Sequence, residues 1–189
     1  MESTYIEHIY TQEQFGEDWF SYSTIYESVV DIFPDGSKFV EVGCWKGKSS
    51  AFMAVEIANS GKKIDFYCVD HWLGGPDHKG WDILPKLYDI WTTNMKPLKD
   101  YFIEMKMSSI DASKKFDDQS LDFVFIDASH EYEDVKSDIE AWMPKVKVGG
   151  IIAGHDYEEY FPSVQKAVNE LLSGKEFDVY QKCWIYKKK

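Results

Sequence analysis

Short apolar runs alternate with stretches of helical periodicity along most of the chain. After the turn signal Pro34-Asp35-Gly36, "KFVEVG" reads as a strand, and "KSSAFMAVEIANSG" carries apolar residues at helical spacing up to a stop at Gly61. "KIDFYCVD" predicts a second strand, "YFIEMKM" a third and "LDFVFID" a fourth. Val135, Ile139 and Trp142 mark a helix over 131–143 that meets Pro144, and "GGIIAG" is a glycine-bounded strand. "SVQKAVNELLSG" predicts a helix closed by Gly174, and "FDVYQKCWIYK" two strands joined by a tight turn at Gln181-Lys182. The first 33 residues are expected to be helices packed on the domain.

Such alternation implies right-handed crossovers and a sheet covered on both faces, which accounts for continuous apolar runs such as "FVFI". The fold class is α/β: a Rossmann-like, doubly wound, mostly parallel seven-stranded sheet with a C-terminal antiparallel hairpin. Ligands of such sheets sit beyond the carboxyl ends of the strands. The residues there are Glu41-Val42-Gly43, Asp70, Met107-Ser108-Ser109, Asp127 and His155-Asp156.

At 189 residues the chain fits one domain, 1–189. The interval 71–100 is long for a connection and holds Trp72, His78, Trp81, Tyr88 and Trp91 among glycines and prolines. It is expected to act as a lid or acceptor wall, or as a helix over about 82–94 that packs aromatics on the core. A net charge of −12 argues against a nucleic-acid partner, whose binding needs clustered Lys and Arg. Cys44, Cys68 and Cys183 are odd in number and lack C-x-x-C spacing, so neither a disulfide framework nor a zinc knuckle is expected. With no apolar run of membrane-spanning length and no signal-like N-terminus, a cytoplasmic protein without a membrane partner is expected.

"EVGCWKGKSS" opens the first helix, where free N–H groups and the dipole favour an anionic ligand group. It is not G-x-G-x-x-G, because Cys44, Trp45 and Lys46 follow Gly43, and it is too short for a P-loop. Asp70, ending the second strand, is suitably placed to accept hydrogen bonds from two ribose hydroxyls. The pattern E-x-G-x-x-x-G resembles the first motif of class I S-adenosylmethionine-dependent methyltransferases. By that resemblance Glu41 supports the loop and the cofactor ammonium, Gly43 lets the backbone approach beside Cys44, and Gly47 begins the helix. His71 and Trp72 would flank adenine on one side, with Ser108 and Ser109 on the other.

The segment "FIDASHEYEDVKSDIEAWMPKVKVGGIIAGHDY" resembles a subgroup of these enzymes that includes macrolide-sugar and other small-molecule O-methyltransferases. Its markers are the D-x-x-H in "DASH", then "MPKVKVGG" and "GHDY"; with the first two motifs the likeness covers about residues 38–160. The resemblance implies a small-molecule or sugar hydroxyl as acceptor, Asp127 as a residue lining the cofactor and a metal ligand, and His130 as general base. The family's acidic pair is matched by His155 and Asp156, a departure at the first position. Asp127 and Asp156 suit a hard cation such as Mg2+, whereas His155 suits a softer metal or leaves its ring free. The competing expectations are a nucleotide-binding oxidoreductase, disfavoured by the missing third glycine, and a cofactor-binding protein without catalysis. Locally, Asp127 or Ser129 could instead cap the helix near Glu131.

Overall fold

In the computed structural model, which describes residues 5–16 and 19–189, every residue of the strand β4 (Leu121–Ile126) is buried. A strand covered on both faces is apolar except where a buried polar group is paired, as Asp122 is with Lys147 Nζ (2.8 Å) and the Lys38 N–H (2.9 Å). With β1 (Lys38–Val42), β2 (Asp65–Asp70), β3 (Ile103–Lys106), β5 (Val146–Gly154), β6 (Asp178–Tyr180) and β7 (Cys183–Lys187), it forms one seven-stranded sheet of order β3-β2-β1-β4-β5-β7-β6. The first five strands pair in parallel, and β7 runs antiparallel to both β5 and β6. Strand order reverses between β1 and β4, the switch point at which such sheets open a crevice.

Alternation of side chains along the strands separates two cores. One face presents Phe39, Phe66, Phe123 and Phe125 to α1 (Ser23–Ile32), α2 (Lys48–Ser60) and α3 (Leu87–Met95). The other presents Val40, Val42, Val124 and Ile126 to α4 (Ser109–Ser113), α5 (Tyr132–Trp142) and α6 (Pro162–Leu171). The hairpin turns at Gln181 and Lys182, both with positive φ (47° and 64°), the two-residue turn whose twist matches that of its strands.

Two expectations need correction. Of the first 33 residues, only α1 and a single 3-10 turn at Glu13–Phe15 are helical among the described ones, because aromatic anchors and not a helical stripe fix the segment. Residues 1–4 and 17–18, covered by the same expectation, lie outside the described residues. In 71–100 the helix is shorter than expected: 3-10 turns at Pro76–His78 and Leu84–Lys86, each with Pro near its start, delay α3 until Leu87. No helix among the described residues is long and apolar enough to cross a membrane. The three cysteines are free and buried.

Parallel registers align Val69, Val42, Ile126 and Gly154 across four strands. The residues one step further are therefore neighbours: Asp70, Gly43, Asp127 and His155. The ladder continues through them, with Gly43 N–H donating to Val69 O (2.9 Å), Asp127 N–H to Val42 O (2.8 Å) and His155 N–H to Ile126 O (3.0 Å). Gly43 has φ 89°, and a Cβ there would lie 1.9 Å from the Asp127 carbonyl oxygen. The close approach between these two strand ends is by itself enough to require glycine. Gly43→Ala should destabilise the fold by at least about 3 kcal/mol. Gly36→Ala, at φ 81° with nothing within 4 Å, should cost only about 1 kcal/mol. Urea unfolding of both variants measures the contrast.

Candidate active site

Asp70 ends β2 beneath the β1–α2 turn. Its Oδ2 accepts from the backbone N–H groups of Cys44 (2.9 Å) and Trp45 (3.1 Å), and its Oδ1 from that of Trp72 (2.6 Å). The acid expected at the ribose thus also fixes the glycine loop. A carboxylate offers about four lone-pair sites, and Asp70 still lines the cleft above. Gly47 opens α2 in the left-handed region (φ 90°), with Trp91 and Met95 against it.

Glu41 lies elsewhere than expected. It is 1% exposed and points under the loop, where Tyr26 O–H donates to Oε1 (2.8 Å) and Ser50 to Oε2. Burial pushes its carboxyl up to about 7, against the opposing hydrogen bonds from Ser50, Ser49 and Tyr26. It ties α1 and α2 to β1 and is not among the residues lining the cleft. Trp72 is likewise a core residue: it is 1% exposed, donates from Nε1 to Trp45 O (3.1 Å) and packs 4.5 Å from Trp91. The exposed neighbour His71 lines the cleft, as do Cys44, Ser108 and Ser109. Ser108 caps α4, and Ser109 Oγ accepts from Trp142 Nε1 (2.8 Å).

The cleft, about 1110 Å³, runs across the switch point. On one wall Trp45 stacks on His78 (4.5 Å), Trp81 stands edge-on to both, and Trp19 tilts against Trp45 and Trp81. Only His78 and Trp81 of the aromatics expected in the wall line it. Trp72 and Trp91 turn into the core, and Tyr88 binds Glu104 through its hydroxyl (2.7 Å). Trp19 and Trp45 were not foreseen as wall residues.

At the β4 and β5 ends the expected acids and imidazoles come together. Asp127 Oδ2 accepts from Tyr22 O–H (2.6 Å), and its Oδ1 lies 3.8 Å from His155 Nδ1. His155 Nδ1 is 3.2 Å from Asp156 Oδ1, while its Nε2 meets Ser21 Oγ (3.0 Å). His130 Nε2 bonds Asp156 Oδ2 (2.9 Å), its Nδ1 bonds Asp77 Oδ2 (2.8 Å), and the ring stacks on Phe161. Asp77, Tyr22 and Ser21 complete the cluster without having been singled out in the sequence. Neither Asp127 nor Ser129 caps α5 in the expected way: Glu131 holds the cap position, and Ser129 bonds Asp134 and the Glu131 N–H. Asp156 takes its place with φ 58°, a left-handed conformation costing a non-glycine residue about 1–3 kcal/mol.

Burial raises the Asp127 pKa, with Asp156 adding to it and His155 and Tyr22 opposing. Burial also works against charge on Asp156, yet hydrogen bonds from His130 and His155 hold it well below the usual carboxylate range. For His130 burial disfavours the cation, but hydrogen bonds to Asp156 and Asp77 outweigh it and push the ring up to about 9. His155 is raised in the same manner by Asp156 and Asp127 against burial. At neutral pH the His130 ring between its two carboxylates is therefore an imidazolium. The donor atoms of Asp127, His155 and Asp156 all lie within 4.8 Å of one another. Two carboxylates and an imidazole fit a divalent cation of intermediate softness.

Fold and cleft together define a Rossmann-like α/β domain whose main cleft opens at the switch point between β1 and β4. The model of a methyltransferase domain family matches residues 40–157, and the chain belongs to that family. It is 26% identical over 121 residues to the uncharacterized protein y4gI of Sinorhizobium fredii, an alignment covering 64% of this chain and 13% of that protein's length. Its fold is similar to that of the O-methyltransferase NovP (TM-score 0.65, 16% identity, 88% of this chain and 78% of that one). It is also similar to a Streptococcus mutans protein solved in complex with SAH (TM-score 0.61, 8% identity, 89% and 97%).

Because the folded His130 pKa lies above the ordinary value near 6.5, its pairing contributes stability fully below that pH and loses it as pH rises through about 9. Asp77→Asn should lower the His130 pKa from about 9 toward 6.5, read by NMR titration of the imidazole in chelated protein. The variant's deficit in melting temperature should be largest below pH 6.5 and vanish above about 9.

Proposed function

We propose that the chain is an S-adenosylmethionine-dependent methyltransferase that methylates a hydroxyl of a small-molecule acceptor, a sugar-type ring included. The observation that carries this reading is the meeting of Asp127, His130, His155 and Asp156 in a cleft that also reaches Gly43 and Asp70. The cleft's about 1110 Å³ exceeds the roughly 300–1,000 Å³ of a typical small-molecule site, room for a donor and an acceptor together. Free acceptor capacity on Asp70 suits ribose hydroxyls, and the positive end of the α2 dipole beside the turn favours an amino-acid carboxylate. When bound, S-adenosylmethionine supplies an electrophilic methyl carbon on a sulfonium sulfur.

A neutral hydroxyl remains protonated at pH 7, so its attack needs a group to take its proton. His130 in its neutral form serves as that group, aligned by Asp77 and Asp156 from either side. The indole wall positions the acceptor ring and excludes water. Asp127, His155 and Asp156 would hold a divalent cation, which there would polarise an acceptor oxygen.

S-adenosylhomocysteine should raise the melting temperature and NAD should not; the reverse pattern would indicate the oxidoreductase. Labelled methyl transfer to a panel of sugars, alcohols and phenols, with and without Mg2+ or Mn2+ after chelation, separates an enzyme from a binding protein. His130→Ala should lower turnover by about 100-fold or more and leave S-adenosylhomocysteine affinity within about two-fold. Wild-type turnover should rise with pH toward about 9, as the ring loses its proton. Equal loss of binding and turnover in His130→Ala would refute the base role.

A further inference from the structure

One buried acid in the cleft is used by neither the loop nor the imidazole cluster. Asp138 sits in the second turn of α5, beside the buried stripe of Val135, Ile139 and Trp142, and is 6% exposed. It lines the cleft where α5 faces the start of α4, together with Met107, Ser109 and Ile110. No cation offsets its burial among the described residues; the nearby Ser109 hydroxyl eases it, and burial with the Asp134 charge pushes its carboxyl up to about 6. Ser109 is itself held by Trp142 Nε1 (2.8 Å), which fixes this corner of the cleft.

A carboxylate is acceptor-only and costly to bury without donors. One serine hydroxyl leaves several of its roughly four lone-pair sites open. Met107, Ile110 and Ala128, which line the same cleft, supply apolar surface that suits a flat ring. We propose that Asp138 is the specificity-determining residue for the base of the donor nucleoside, accepting a hydrogen bond from the exocyclic 6-amino group of adenine. This rests on the reading of S-adenosylmethionine as donor. It assigns base recognition to α5 opposite Ser109, whereas the β2 end provides only the ribose contacts and His71.

The test is calorimetric titration of S-adenosylhomocysteine and of its purine analogue lacking the 6-amino group, against wild type, Asp138→Ala and Asp138→Asn, each checked for folding by circular dichroism. Wild type should prefer the amino ligand by about 10- to 100-fold, the value of a hydrogen bond to a charged group. In Asp138→Ala the two affinities should come within about three-fold of each other, through loss of the amino ligand's advantage. Asp138→Asn, which keeps a neutral acceptor, should fall between and remains informative if the alanine variant does not fold. Equal wild-type affinity for the two ligands, or an undiminished preference in both variants, overturns the assignment of Asp138 while leaving the donor reading intact. Wild-type binding of neither ligand overturns both.

Discussion

Parallel pairing of β2, β1, β4 and β5 brings Asp70, Gly43, Asp127 and His155 into one row, and the site follows from that row. Neighbouring strands lie about 4.8 Å apart, so two acids and an imidazole from three strands are gathered at one edge of the sheet without any loop having to carry them. The ladder hydrogen bonds run one residue past the apolar strands, through Gly43, Asp127 and His155. A slip of one residue in any of these strands would exchange its two faces. The Phe-lined and Val/Ile-lined cores forbid it, because each face is complementary to a different set of helices. Gly43 permits the row to close, since any side chain there would collide with the Asp127 backbone.

Such a row has an energetic cost, because it places carboxylates at the edge of a dry core. The N-terminal segment offsets it. Tyr22 donates to Asp127 and Tyr26 to Glu41. Burial raises both phenols well above their ordinary pKa, so they remain protonated donors at any physiological pH. Their rings meanwhile pack on Phe125 at 4.3 and 5.2 Å. The same side chains thus supply apolar area to one core and the polar partners its acids require, which ties the stability of α1 to the electrostatics of the cleft.

How much of this could be read in the sequence depended on whether the signal was local. Strand and helix periodicities are local, and so the sheet, its hairpin and the acids at the strand ends were legible. Gly43 and Gly47 were legible as special backbone positions, although the reason for Gly43 was not. Contacts across the chain left no local mark. Tyr22 reaches Asp127 over 105 residues and Asp77 reaches His130 over 53, and nothing near Tyr22 or Asp77 distinguishes them from ordinary surface residues. Trp72 and Trp91 misled because an indole is equally suited to a pocket wall and to a core; α3 and the β1–α2 turn decide between them by covering both. Glu41 misled for a related reason: at a strand's penultimate position the side chain faces the helix layer, not the crevice.

The imidazole at the centre of the cluster is governed from two separate elements, the end of the sheet and the segment after β2. Asp156 belongs to the end of β5, next to His155, whose N–H is in the ladder. Asp77 belongs to the segment after β2, between Gly74 and Gly80, which have φ 74° and 87°, and its side chain is 52% exposed. Both hydrogen bonds raise the proton affinity of His130, and only one of them comes from the sheet. A displacement of the Asp77 segment removes one carboxylate from the ring and favours its neutral form. His78 on that segment and Trp81 directly after it carry their rings against Trp45 of the β1–α2 turn. The position of that segment therefore sets, through one carboxylate and two rings, both the width of the cleft and the protonation of His130.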